Sequence, residues 1–526
     1  MTHADSSRPL APVLMVVGTC SSAGKSTIVA ALCRIFRQAG WRVAPFKAQN
    51  MSNNAGVTDD GGEIGRAQML QARAAGVRPT VQMNPILLKP VTDVGSQVVV
   101  LGRAVVTEDA RAYYRRTDAL WPIVANALDE LRREYDIVIA EGAGSPAEIN
   151  LRDRDLVNMR IAEHAGAVTL LVGDIERGGV FAALYGTHAL LPPSQRALIR
   201  GFVINRFRGD VTLIEPGPAM LEELTGVPTL GVVPWLRDLQ LPEEDALGVP
   251  PDGAWRADAL TVAVICLPQL ANFDDIDPLR RIAGVHAQFV TTVEHAGNPD
   301  LIIIPGSKAT IPDLEWLRQR GFDTWIQERA RHGVPVIGLC GGFQMLGQSV
   351  HDPLALESPQ ADAEGLGLLA VTTVLEPRKT VRRSDLHIQT TSGLLEQTSG
   401  ILLHGYEIHA GISTATALHS GGTCIEALRA DDADDARRAS DGLLGVLSTS
   451  GRIFGTYLHG LFENAEFTTT LLANVASMRG RDALPASEPH RALDDELDRL
   501  AAHVREHVDV DQIIDWVSDQ RAQLTT

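Results

Sequence analysis

The chain has 526 residues, 45% of them hydrophobic and 21% charged, with a formal net charge of -18. That length exceeds one ordinary hydrophobic core, so two or more domains are expected, and the composition is that of a globular protein. The acidic balance repels polyanions over most of the surface, which argues against a nucleic-acid or membrane-surface partner and leaves small molecules as the expected ligands. A homo-oligomer is compatible with all of this. Five cysteines, Cys20, Cys33, Cys266, Cys340 and Cys424, include no close C-x-x-C pair. Neither a disulfide framework nor a zinc knuckle is indicated, which suits a reducing cytoplasm. Residues 1–12 are polar, lack the apolar stretch of a signal peptide and are expected to be disordered. No run elsewhere reaches the roughly 18 apolar residues that a spanning helix needs.

The first apolar strand, Leu14-Met-Val-Val17, runs directly into Gly18-Thr-Cys-Ser-Ser-Ala-Gly-Lys-Ser-Thr27 and then a helical pattern through Phe36. Strand, glycine-rich loop and helix in that order make a phosphate-binding loop. Backbone N–H groups from Gly18, Thr19, Gly24 and Thr27 cradle phosphate oxygens, Lys25 reaches the terminal phosphates, and the Ser26 hydroxyl can ligate Mg²⁺. The loop is one residue longer than the usual spacing, with five residues between Gly18 and Gly24.

A second strand, Trp41 to Phe46, delivers Lys47-Ala-Gln-Asn-Met-Ser-Asn-Asn54 at its C-terminal end. In an open parallel sheet that edge binds ligands, so Lys47, Gln49 and Asn50 are candidate substrate residues, with Lys47 a contact either to an acidic substrate or to a γ-phosphate. Glu63 to Ala75 and Asp118 to Tyr135 read as helices, with an extended segment, Asn84 to Pro90, between them. The strand Asp136 to Ala140 ends in Glu141-Gly-Ala-Gly-Ser145, which places Glu141 as a magnesium-binding carboxylate. Two more strands end in Gly173-Asp-Ile-Glu-Arg-Gly-Gly179 and Asn205-Arg-Phe-Arg208, where Asn205 is either a side-chain amide that reads an adenine edge or a simple turn residue. Alternating strand, polar tip and helix predict a doubly wound parallel sheet over residues 13–235.

Residues 236–259 are rich in proline, glycine and acid and read as a linker. A second domain is expected over 260–475, followed by a helical tail over 476–526. Asp300-Leu-Ile-Ile-Ile-Pro-Gly-Ser-Lys308 gives a strand and glycine turn that make Gly306 a candidate oxyanion donor. Val334 to Leu339 is a buried strand that stops at Cys340-Gly-Gly342 and is followed by a helical pattern. That is a nucleophile elbow: the cysteine is held out on a sharp turn, with Gly341 offering a backbone N–H to a substrate carbonyl. A cysteine nucleophile needs a base, and His459, at a strand end in Gly455-Thr-Tyr-Leu-His-Gly460, competes for that role with His404 and His409.

Taken together, these motifs resemble the cobyric acid synthases, glutamine-dependent amidotransferases of cobalamin biosynthesis. The resemblance rests on Gly18-Thr-Cys-Ser-Ser-Ala-Gly-Lys-Ser26, Lys47-Ala-Gln-Asn-Met-Ser52, Glu141-Gly-Ala-Gly-Ser-Pro-Ala-Glu-Ile-Asn-Leu151, Gly173-Asp-Ile-Glu-Arg-Gly-Gly-Val-Phe181, Gly338-Leu-Cys-Gly-Gly-Phe-Gln344 and Tyr457-Leu-His-Gly460, in that order. It implies an α/β chain in which a P-loop, dethiobiotin-synthetase-like parallel-sheet domain precedes a class I glutamine amidotransferase domain. It also implies ATP and Mg²⁺ with glutamine as ammonia donor, Cys340 as nucleophile and His459 as its base. The longer phosphate loop is shared by that family. Glu176 stands where the family usually has Asp, and Asn53 departs from its commoner pattern. Many class I glutaminases carry a glutamate two residues after the histidine, whereas this chain has Leu461, so the expectation is a cysteine–histidine dyad or one oriented by another acceptor, whose identity the resemblance leaves open. The rival readings are a cobyrinic acid a,c-diamide synthase and a non-amidating nucleotide switch, the latter disfavoured by the elbow and His459.

Overall fold

The computed structural model describes residues 9–90, 95–237, 239, 241–242, 255–256, 258–416, 424–430, 442–482 and 493–525. The chain forms two compact units, one of 1–52, 62–242 and 491–526, the other of 53–61 and 243–490.

The first unit is built on a six-stranded sheet in the order Thr229–Pro234, Ile199–Phe207, Val168–Asp174, Val13–Gly18, Ile137–Glu141, Val43–Phe46. Every pairing is parallel, so all the strand tips that carry polar motifs point to one edge. Alternate residues of the first strand feed two separate cores, as the two-residue period of a strand requires. Val13, Met15 and Val17 pack with the helix Thr117–Glu134 on one face. Leu14 and Val16 pack with the helix Lys25–Gln38 on the other. A second, smaller sheet in this unit joins Gln49–Met51, Ile86–Pro90, Gly95–Val100 and Arg103–Asp109.

The predicted C-terminal tail is two helices, Leu493–His507 and Val510–Thr525, and it belongs to the first unit. Leu497, Leu500, Val504, Ile513 and Val517 complete the core beside the Lys25–Gln38 helix, and Arg34 binds Asp498 at 2.7 Å. The helix Ala465–Met478 crosses the expected boundary at 475 and stays with the second unit.

Most of the expected linker, residues 238, 240, 243–254 and 257, lies outside the described residues. Leu236, Leu239 and Leu241 pack on the first unit's core. Of the N-terminal segment expected to be disordered, residues 1–8 lie outside the described residues. Ala11 is pinned at 2.8 Å through both its N–H and its carbonyl to Arg132.

In the second unit, Val285–Val290, Leu260–Ile265, Leu301–Ile304, Val336–Leu339 and Ile453–Thr456 pair in that order, all parallel. The sheet then continues antiparallel through Gly445–Ser448, Cys424–Ala430 and the long pair Val371–Ile388 and Leu402–Ala415. The strand Val336–Leu339 is central and wholly buried. Its apolar run has no polar alternation because both faces are covered.

Candidate functional site

The phosphate loop leaves the first unit's central strand at Gly18. Thr19 donates its N–H to the Val172 carbonyl at 2.9 Å, which anchors the loop to the neighbouring strand. Gly24 has φ of 90°, a left-handed conformation, and a Cβ there would lie 2.1 Å from Asn205 Nδ2, so only glycine fits. Asn205 donates that amide to the Ala23 carbonyl at 3.0 Å. In this structure it braces the loop instead of presenting its N–H outward. Lys25 is folded back over the loop, its Nζ donating to the carbonyls of Cys20 (3.0 Å) and Gly144 (3.1 Å).

Ser26 Oγ donates to Glu141 Oε1 at 2.8 Å, and Lys47 Nζ lies 2.9 Å from the same oxygen. Gln71 Nε2 donates to the other carboxylate oxygen at 2.6 Å. Burial alone would raise the Glu141 pKa, but the Lys47 charge and the hydrogen bonds from Lys47, Gln71 and Ser26 hold it below the ordinary carboxylate value. Glu141 is therefore an anion at neutral pH, as a magnesium ligand must be. A hydroxyl and a carboxylate side by side suit Mg²⁺, which takes few protein ligands and completes its shell with phosphate and water. Among the described residues no group of three or more His, Cys, Asp or Glu forms a metal cage.

The expected substrate residues do not behave alike. Lys47 is committed to Glu141. Asn50 is buried and donates to Gln68 Oε1 at 3.1 Å, while Gln49 accepts from the Tyr113 hydroxyl. Gln71, which completes the Glu141 environment, is not legible in the sequence, where it is one polar residue of the predicted Glu63–Ala75 helix.

In the second unit the elbow is present as expected. Cys340 has φ 50° and ψ -109°, a strained conformation for a residue with a Cβ. Its N–H donates to the Thr456 carbonyl at 2.8 Å, and the helix Gly341–Leu346 starts at the next residue. A Cβ on Gly342 would lie 2.0 Å from the Ile304 carbonyl oxygen. Gly342→Ala is accordingly expected to cost about 3 kcal/mol or more by overpacking against backbone, read as a fall in Tm accompanied by loss of Cys340 reactivity.

Gly306 pairs with Ala271 in a two-residue antiparallel ladder. A Cβ on it would stand 3.6 Å from His459 Cε1, and a Cβ on Gly341 would stand 2.8 Å from the Ser307 nitrogen. The Gly306–Ser307 and Gly341 backbones therefore meet beside the nucleophile. The Ser307 hydroxyl donates to Asp313 at 2.6 Å, which steadies that turn.

His459 is buried and interacts electrostatically with Cys340, whose Sγ donates to the Ile408 carbonyl at 3.4 Å. The acceptor left open in the sequence is Asp275. Asp275 Oδ2 is 2.7 Å from His459 Nδ1, and Asp275 Oδ1 accepts the Gly460 N–H at 2.8 Å. Burial pulls the His459 pKa down, but the Asp275 charge and hydrogen bond, with a further contribution from Cys340, raise it to about 10. Asp275 was missed because it follows a different strand from the histidine. Its only trace is an acidic pair, Asp274-Asp275, in the turn after the short strand Leu270–Ala271. Of the rival histidines, His404 is exposed and pairs with Asp385, and His409 binds Glu407 and the Gly411 carbonyl.

Comparison with known proteins agrees with this division. Residues 14–248 match the CobQ/CobB/MinD/ParA nucleotide binding domain family, and residues 261–467 match the CobB/CobQ-like glutamine amidotransferase domain. The chain is 45% identical over 511 residues to the cobyric acid synthase of Roseiflexus castenholzii, covering 97% of this chain and 99% of that one. To the cobyric acid synthase of Chloroflexus aggregans it is 47% identical, covering 94% of this chain and 96% of that one. To that of Yersinia enterocolitica it is 44% identical, covering 95% and 97%. Two matched domains in the expected order and full-length similarity lead to one conclusion: the chain belongs to the cobyric acid synthase family.

Proposed function

We propose that this protein amidates carboxylates b, d, e and g of adenosylcobyrinic acid a,c-diamide to give adenosylcobyric acid in the cytoplasm, with ATP as activator and glutamine as nitrogen source. The observation that carries the reading is the Cys340–His459–Asp275 arrangement in a chain that also holds Lys25, Ser26 and Glu141 at a phosphate loop.

In the second unit, the Cys340 sulfur attacks the side-chain amide carbon of glutamine, and the oxyanion is held by backbone N–H groups of the Gly306–Ser307 turn and Gly341. His459, with Nδ1 held by Asp275, gives the proton of its other nitrogen to the departing ammonia. Water then cleaves the thioester, releasing glutamate and restoring the thiol. Asp275 stabilises the imidazolium and keeps the ring aimed at the sulfur.

In the first unit, the phosphate loop and Lys25 bind the ATP phosphates, and Ser26 and Glu141 would hold Mg²⁺, which when bound offsets the charge on the transferred phosphoryl group. Transfer of the γ-phosphoryl group to a substrate carboxylate gives an acyl phosphate and ADP. Ammonia attacks the acyl carbon, phosphate leaves, and an amide remains.

The direct test is incubation with ATP, glutamine and the a,c-diamide, followed by mass spectrometry. Four successive replacements of a hydroxyl by an amino group are expected, and an unchanged corrinoid would overturn the reading. Lys25→Ala is expected to lower amidation by on the order of 10²-fold with either glutamine or free ammonia as donor, because it removes charge stabilisation at the phosphoryl group. Glutamine hydrolysis measured alone separates this loss from a defect at Cys340.

A further inference from the structure

The sequence motif beginning at Lys47 leaves one stretch unexplained. The chain passes from the first unit to the second at Asn53 and returns at Gly62, so residues 53–61 belong to the unit that carries Cys340. Their contacts there converge on the turn that holds Asp275.

Asn54 Oδ1 accepts the Phe273 N–H at 3.3 Å. In the reciprocal direction, Asn272 closes on the backbone of Ala55 with both arms of its amide. Its Oδ1 accepts the Ala55 N–H at 3.4 Å, and its Nδ2 donates to the Ala55 carbonyl at 3.2 Å. Asn272 is itself left-handed, with φ 51°, and starts the 3-10 turn Phe273–Ile276 that contains Asp275. The same Nδ2 donates to the Tyr406 hydroxyl at 3.1 Å. The Tyr406 ring is stacked on the His459 ring, with centroids 5.2 Å apart and planes 18° apart. Tyr406 and His459 also exchange backbone hydrogen bonds of 3.2 and 2.9 Å. At its far end the segment is held by Asp59, which pairs with Arg383.

Asn272 thus touches everything that aims the base: the turn bearing the carboxylate, the ring lying on the imidazole, and the 53–61 segment. All of these groups except Asp59 and Arg383 are buried. Buried amides with every arm engaged have one low-energy arrangement, and loss of one partner leaves the others unpaired. We infer that Asn54, Asn272 and Tyr406 are positioning residues for glutamine hydrolysis, and that residues 53–61 are a strap holding the Asp275–His459 pair in register with Cys340. The inference rests on the glutaminase role of Cys340 given above. It also assigns a role to Asn54 of Met51-Ser-Asn-Asn54. This piece of chain is continuous with Lys47 of the nucleotide-binding unit, yet it serves the other reaction.

The test uses the full chain and three variants. Asn272→Gly removes the amide while keeping a residue at ease in the left-handed region. Asn54→Ala removes the acceptor, and Asn54→Asp restores an oxygen at the same place. Asn272→Gly and Asn54→Ala are expected to lower kcat for glutamine hydrolysis by about 10²-fold, the scale of a small misplacement of a reacting group. KM for glutamine stays within about twofold, amidation from free ammonia is unchanged, and the alkaline limb of the kcat profile moves to lower pH because the His459–Asp275 contact loosens. Asn54→Asp recovers most of the rate. An unaltered kcat and pH profile in Asn272→Gly and Asn54→Ala overturns the inference, as does an equal fall in the glutamine- and ammonia-dependent rates. Absence of glutamine hydrolysis in the wild-type protein would overturn the glutaminase reading itself.

Discussion

Cys340→Ala is expected to reduce glutamine-dependent amidation by at least about 10³-fold, because no other group can form the thioester. The same protein supplied with ammonium salt retains its amidation rate within about twofold, since Lys25, Ser26 and Glu141 belong to a separate compact unit. Parallel assays with the two nitrogen donors decide the matter. Equal loss with both donors would mean that Cys340 supports the fold and not the chemistry, whereas glutamine-dependent turnover by the alanine variant would remove it from the mechanism. The backbone at this position argues for a chemical role. A cysteine held at φ 50° and ψ -109° carries strain that an ordinary buried turn would relieve with glycine.

Asp275→Asn is expected to have the second large effect, and it tests the acceptor that holds His459 Nδ1. The substitution keeps the shape of the side chain and removes its charge. Burial then acts on His459 against the smaller contribution of Cys340 alone, so the imidazole pKa falls from about 10. Glutamine hydrolysis is expected to drop by on the order of 10³-fold, and the alkaline limb of its pH profile to move from near 10 toward the acid side. The raised His459 pKa also links to stability. The pair's contribution is fully present below the unfolded pKa of about 6.5 and is lost as pH rises through about 10. Wild-type Tm therefore falls across that alkaline window, and the asparagine variant loses most of that dependence. A pH–rate profile superimposable on wild type would exclude Asp275 from the triad.

The two ends of the nucleotide and glutamine chemistry differ in how far the sequence reveals them. The phosphate loop is contiguous: strand, Gly18 to Ser26 and helix are one local piece of chain whose geometry follows from residue order. The elbow is equally local, because Val336–Leu339 must be buried, Gly341 and Gly342 permit the turn, and the cysteine is left at its apex. Glu141 could be placed for the same reason, as the first charged residue after an apolar strand in a parallel sheet. Lys47 was placed correctly at a strand tip, but its partner was not legible. Its pairing with Glu141 depends on the register Phe46↔Ala140, which only the assembled sheet supplies.

By itself, then, the sequence determined the two-domain α/β architecture, the phosphate loop and the elbow that carries Cys340, all features carried by short-range periodicity and turn chemistry. The return of the last two helices to the first unit, the triad and the 53–61 strap were decided by tertiary structure. Asp275 and His459 stand 184 residues apart in the chain. They meet because the strands Leu260–Ile265 and Ile453–Thr456 run parallel in one sheet, which brings the polar segments after their C-terminal ends to the same edge. Register between distant strands is set by the burial of whole faces and not by any local motif. A carboxylate that looks like a turn residue in sequence can therefore be the group that raises the pKa of a buried histidine.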